Sequence, residues 1–128
     1  MFLLYCVMDR DKESEYHYSY YPIPNTEQVL QVRLKRSSNC TAFKTWEACF
    51  AFLEWVVDFQ RILYNFQCYK LIYLDLFHGK RILELGSGSG LCGQMMQALL
   101  GDCNIIMSDY CNDIAEYINE NIEESSND

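Results

Sequence analysis

The stretch Arg81 to Gly93, reading Arg-Ile-Leu-Glu-Leu-Gly-Ser-Gly-Ser-Gly-Leu-Cys-Gly, constrains the chain more than any other. It takes an apolar strand straight into a glycine-rich turn that opens a helix. Glycines at 86, 88 and 90 leave out the Cβ atoms that would hold a ligand away from the backbone, and they permit the positive-φ geometry of a tight strand-to-helix turn. A nucleotide-like ligand fits such a bend.

Residues C-terminal to the turn extend the pattern. Leu91 to Leu100 is helical in period and ends at Gly101, which suits a left-handed cap, and Asn104 to Ser108 is a second apolar strand. Asn112 then suits the N-cap of a helix with Ile114, Ile118 and Ile122 at four-residue spacing and Tyr117 beside them. Residues 123–128 make a polar end. Strand, helix, strand, helix from residue 81 predicts an α/β fold, a Rossmann-like parallel sheet built from βαβ units.

Upstream, Glu15 to Ile23 and Gln28 to Lys35 alternate in polarity and flank Pro24-Asn25-Thr26, which predicts a β-hairpin. A helix is expected from near Thr45, with that hydroxyl capping its first turn and Trp46, Phe50, Leu53 and Val57 along one face. The tyrosine-rich segment from Phe59 to Tyr73 is ambiguous in period, its first half reading as helix, and Phe77-His78-Gly79-Lys80 punctuates the chain before the first parallel strand.

With 128 residues, half of them apolar, the chain is large enough for one core and small for two ordinary domains. No apolar run reaches the roughly 18 residues of a membrane span, so a soluble, cytoplasmic protein is expected, without a membrane partner. Seven cysteines, odd in number and without a C-x-x-C pair, argue against a disulfide framework or a bound metal and for reduced, mostly buried thiols. Of the ten Lys and Arg, all lie in residues 1–81, whereas residues 82–128 carry acids only within a net charge of −8. That field repels nucleic-acid phosphates, so no nucleic-acid partner is expected, and the acidic part reads either as a solvated helix face or as a surface for a basic protein.

Two carboxylates flank the glycine turn. Asp109 ends the second strand, where a carboxylate can accept hydrogen bonds from ribose hydroxyls, or else serves as a turn aspartate. Glu84 stands in the middle of an apolar strand, where an ionised carboxylate needs a partner: a cationic ligand group, or backbone amides of the turn. Gly88 to Gly93 also fits the G-x-G-x-x-G dinucleotide fingerprint, but the strand before a dinucleotide turn is normally apolar. Glu84 suits a cofactor that presents an ammonium group, as the methionine part of S-adenosylmethionine does. Gly88 stands at the centre of the Gly86 to Gly90 window where a serine hydrolase needs its nucleophile, which excludes that elbow.

On these residues the chain resembles the class I, seven-stranded S-adenosylmethionine-dependent methyltransferases. Glu84-Leu85-Gly86-Ser87-Gly88-Ser89-Gly90 is similar to their first motif and Ile106-Met107-Ser108-Asp109 to the end of their second strand. Thr45-Trp46-Glu47-Ala48 with Phe52-Leu53-Glu54-Trp55 is similar to the upstream helix of the protein-lysine methyltransferases, nearest their elongation-factor-2 branch. The resemblance spans about residues 41–122. It implies S-adenosylmethionine as cofactor and a protein substrate with a lysine acceptor, a translation factor among the candidates. It also implies that Trp46 packs on the cofactor, that Gly86, Ser87, Gly88 and Gly90 pass beneath its methionine part, and that Asp109 binds its ribose.

Two departures shape the expectation. Residues 59–72 look like an insertion relative to the family, and the chain stops after the helix that follows the second strand. Residues 1–40 then form an N-terminal segment with the hairpin, and 41–128 the N-terminal half of a methyltransferase domain, with the acceptor-site half missing. An unpaired sheet edge and exposed apolar helix faces, those of Ile114, Ile118 and Ile122 included, are expected to result. The alternative reading is a catalytically incompetent fragment that acts as a binding module. No catalytic residue is assigned, and the isolated His17 and His78 read as structural.

Overall fold

The computed structural model describes residues 7–8, 15–24, 26–36, 40–65, 76–110 and 112–125. Strand β1 (Val7–Met8) and the hairpin strands β2 (Tyr16–Pro22) and β3 (Val29–Lys35) form an antiparallel sheet in that order. A single 3-10 turn, Thr41–Phe43, leads to helix α1 (Glu47–Asn65). Then come β4 (Arg81–Leu85), α2 (Leu91–Leu100), β5 (Asn104–Ser108) and α3 (Asn112–Ser125). Strands β4 and β5 pair in parallel from Arg81 opposite Asn104 to Leu85 opposite Ser108, as the βαβ order requires. The architecture is the α/β, Rossmann-like partial fold expected, with hairpin and helix before it.

Alternation along the hairpin puts Tyr21, Leu30, Val32 and Leu34 on one buried face. That face shares a core with Leu53 and Val56 of α1 and with Leu91, Met95 and Met96 of α2, and Ile82 and Ile105 of the parallel pair pack against it. Each such side chain contributes roughly 1.5–3 kcal/mol by leaving water. The hairpin therefore belongs to the same packed unit as the glycine turn.

Helix α3 corrects one expectation. Ile114 and Ile118 are buried with Ala42, and Ile122 and Met107 pack on the same cluster, so this apolar face is covered. The cover comes from the 3-10 turn with Cys40 beside it and from Met107 of β5, partners that helical spacing does not reveal. Tyr117 stacks on Tyr16 and donates its hydroxyl to the Arg33 carbonyl, while Arg33 forms ion pairs with Glu120 and Glu124. Part of the charge segregation along the sequence is thus complementarity within the molecule.

The bare surface lies elsewhere. Leu83, Leu85 and Ile106, on the opposite face of the parallel pair, are 60%, 77% and 56% exposed. The exposed apolar surface that the sequence predicts is found on the sheet and not on the last helix.

Smaller differences have local causes. The Thr45 hydroxyl shares a hydrogen bond with the Ser89 hydroxyl (3.2 Å), so it is engaged by the glycine turn, and α1 begins at Glu47 with Trp46 outside the helix. Gly101 has positive φ (73°) but ψ of −44°, outside the left-handed helical region, and its N–H closes α2 on the Gln97 carbonyl. Helix α3 runs to Ser125, beyond the expected polar boundary, where the single hydroxyl proton of Ser125 has the Gln31 carbonyl, the Asn121 carbonyl and Gln94 Oε1 as alternative acceptors. Helix α1 takes in the first half of the ambiguous segment; its remainder at 66–73 lies outside the described residues, as do Cys6, Cys68 and Cys111. Among the described cysteines, Cys40, Cys49, Cys92 and Cys103 are free thiols, but only Cys103 is fully buried.

Asn121 sits where these parts meet. Fully buried, it accepts the Arg33 N–H (2.9 Å) and donates to the carbonyls of Ser89 (2.9 Å) and Arg33 (3.3 Å). Replacing it by alanine strands a buried N–H and a buried carbonyl, and urea unfolding should show a loss of about 2–4 kcal/mol.

Candidate functional site

The glycine turn is fastened to the neighbouring strand end by serines. Ser87 N–H donates to the Ser108 carbonyl (3.0 Å) and Ser108 N–H to the Ser87 hydroxyl (3.1 Å). Both serine hydroxyls donate to the Glu84 carbonyl, at 3.3 Å from Ser87 and 3.0 Å from Ser108. The Asp109 carboxylate completes the fastening, with Oδ2 accepting Gly88 N–H (2.9 Å) and Oδ1 accepting Tyr110 N–H (2.8 Å). These bonds satisfy turn amides that would otherwise be lost to the ladder and fix the shape of the bend.

Two glycines are required by close approach. A Cβ on Gly88 would stand 2.9 Å from the Ala42 carbonyl oxygen, because the 3-10 turn crosses over the bend there, and φ is +55°. On Gly93, in the first turn of α2, a Cβ would stand 2.5 Å from Met107 Sδ and 2.7 Å from Glu84 Oε2. Helix α2 can lie close to the strands only because position 93 has no side chain.

Between the segment from Lys44 to Phe52 and the segment from Glu84 to Cys92 lies a cleft of about 420 Å³, within the range of small-molecule sites. Trp46 forms part of its rim, 58% exposed, with the indole N–H donating to the Thr41 carbonyl (3.2 Å). The Glu84 carboxylate reaches the cleft from the inner face of β4, and its Oε2 is buried with no hydrogen-bond partner. Burial raises the Glu84 pKa above the ordinary carboxylate value, while the Ser87 hydroxyl, the Gly93 N–H and the Cys92 thiol pull it the other way. Lys44 lines the same cleft. An acidic and a basic residue therefore line one space, a pairing that suits a zwitterionic amino-acid group.

A profile of the lysine methyltransferase family matches residues 24–128. The chain belongs to that family. A calmodulin-lysine N-methyltransferase of Arabidopsis thaliana is 42% identical over 52 residues, which is 41% of this chain and 17% of the plant protein. The chain thus spans about a sixth of the length of the curated relative that it matches. Membership of the lysine methyltransferase family implies S-adenosylmethionine as methyl donor, and the unpartnered Glu84 oxygen beside a glycine turn fits a group with a cationic amino end.

Of the residues singled out from the sequence of this family member, Trp46, Glu84, Gly86 and Ser87 line the cleft. Gly88, Gly90 and Asp109 do not line it; they stand behind it and hold the bend in shape. Sequence reasoning missed Lys44, Thr45, Cys49, Phe52, Ser89 and Cys92, which also line the cleft. Lys44 and Thr45 immediately precede Trp46, and Ser89 and Cys92 lie within the motif, so proximity to assigned residues was the available signal. Cys49 and Phe52 come into place only through the packing of α1 on α2.

Substitution tests the close approaches. Gly93→Ala should lower stability by about 1–3 kcal/mol in chemical unfolding, since Met107 and Glu84 must both move. Gly88→Ala should cost at least about 1 kcal/mol, because strain at positive φ adds to a contact with backbone that cannot swing away. A mutation at Gly79, where a Cβ would meet nothing within 4 Å, serves as control for the positive-φ term alone.

Proposed function

We propose that the chain is part of a protein-lysine N-methyltransferase that binds the methionine end of S-adenosylmethionine in the cleft between Lys44 and Cys92. The observation that carries this reading is Glu84, a strand carboxylate with one oxygen buried and without a hydrogen bond, in the lining of a cleft that Lys44 also lines, in a chain of the lysine methyltransferase family. Glu84 would take the cofactor's ammonium and Lys44 its carboxylate. Trp46 would pack on the bound molecule, Gly86 and Ser87 would admit it close to backbone, and Asp109 would hold the ribose side as well as the turn. The cofactor supplies a methyl group on a positively charged sulfur, already activated for in-line displacement by a neutral amine. The residues present here bind and orient, which for such a transfer is a large part of catalysis.

The acceptor is a lysine on a protein. Likeness of the Trp46 helix to the elongation-factor-2 branch supports a translation factor, whereas the plant relative is named for calmodulin. Incubating the chain and tritiated cofactor with each protein separates the two, and label on elongation factor 2 would support that branch. Label on calmodulin instead would move the assignment to the other branch. A second reading, binding without transfer, is favoured by the bare face of Leu83, Leu85 and Ile106. Cofactor binding by calorimetry without label on either protein would support it.

The pH dependence originates in Glu84. Its pKa is raised in the folded chain, so the unliganded fold is favoured by its protonated form, and this contribution is lost as pH rises from the ordinary carboxylate value through the raised one. Ammonium binding requires the ionised form and therefore releases a proton. Calorimetric affinity for S-adenosylmethionine should strengthen as pH rises through that window, and Glu84→Gln should weaken binding and remove the dependence. Tighter binding of a nicotinamide dinucleotide would overturn the assignment.

A further inference from the structure

Two sulfurs in the cleft wall have no part in methyl-donor binding. Cys49 lies in the first turn of α1 and Cys92 in the first turn of α2, both line the cleft, and both pack half-buried against the same core. Their side chains are within hydrogen-bonding reach of one another, and Cys92 also reaches the Glu84 carboxylate. We propose that Cys49 and Cys92 are a two-electron oxidation site, at which a hydroperoxide converts the thiol pair into a disulfide that ties α1 to α2 across the cleft.

The chemistry balances with hydrogen peroxide as oxidant. The Cys49 sulfur attacks one peroxide oxygen, the O–O bond breaks, and a sulfenic acid and one water form. The Cys92 sulfur then displaces the sulfenic hydroxyl, forming the S–S bond as the S–O bond breaks. The Cys92 proton leaves with that hydroxyl as a second water, with Glu84 beside it to relay the proton. The sulfur pair loses two electrons and the peroxide gains two.

The hydrogen bond with Cys49, burial and the nearby Glu84 charge hold the Cys92 thiol above the ordinary thiol range, so the two thiols titrate as a pair, and the same balance holds with the roles of the two sulfurs exchanged. A covalent tie between Cys49 and Cys92 fixes the start of α1, next to Trp46, against α2, and removes the thiol proton that Glu84 shares. The cleft would then hold its ligand less well. Only the identity of that ligand rests on the proposed methyltransferase function.

Peptide mapping without reductant, after treatment of the 128-residue chain with hydrogen peroxide, tests the site directly. A peptide pair joined through Cys49 and Cys92, lost on adding dithiothreitol and missing in both Cys49→Ser and Cys92→Ser, is the expected result. Calorimetry on the oxidised chain should show affinity for S-adenosylmethionine reduced at least tenfold and restored by dithiothreitol. Both thiols remaining open to N-ethylmaleimide, either one paired with another cysteine, or a Cys49 sulfinic acid as main product would each overturn the proposal. So would a mapped disulfide that leaves affinity unchanged. A reduced chain with no affinity for the cofactor would overturn the functional reading, and the peptide map would then decide the oxidation site alone.

Discussion

Everything that shapes the cleft converges on the side-chain amide of Asn121. It occupies a position in α3 that the spacing of Ile114 and Ile118 would give to another apolar residue, and it uses donor and acceptor alike on β3 and on the turn. An apolar side chain there could fill the volume, but would leave the Arg33 N–H and the Ser89 carbonyl unanswered in the core. Because a hydrogen bond is directional where burial is not, this residue sets how the hairpin sits relative to Ser89, and Ser89 holds Thr45 beside Trp46. A chain of short polar contacts thus runs from the antiparallel sheet to the rim of the cleft.

The bend itself is held from its other side by serines and an aspartate. Asp109 spends both oxygens on main-chain amides of the bend and its own flank, which explains its position at the strand end even before a ribose is considered. Glu84 is different in kind, since its Oε2, close to Gly93, is buried without a hydrogen bond. Low-dielectric surroundings strengthen any attraction to a cation that enters, and they penalise the charge while none is there. One carboxylate therefore has both oxygens engaged by the fold, and the other keeps one oxygen without a hydrogen bond.

The parts of this fold legible in the sequence are those decided locally. β4, α2 and β5 begin and end where apolar runs meet glycine and polar punctuation, and alternation around a proline turn marks the hairpin strands. What escaped the sequence depends on residues far apart in the chain. The cover over Ile114 and Ile118 comes from Ala42, the ion pairs of Glu120 and Glu124 go to Arg33, and Thr45 is recruited by Ser89. At the cleft, the motif singled out Glu84 and the bend, whose Glu84, Gly86 and Ser87 are in the lining, because carboxylate and glycine in that order carry chemical meaning by themselves. Lys44 and Cys49 carry none until α1 is docked on α2.

The uncovered side of the parallel pair has a consequence for how such a chain behaves in bulk. Leu83, Leu85 and Ile106 make a greasy strip on two strands that, among the described residues, pair only with each other. A short two-stranded ribbon of that kind is a template on which more strands can grow. In a crowded solution its fate is a race between a shielding surface and fibrous self-association, and the winner is whichever reaches those three side chains first.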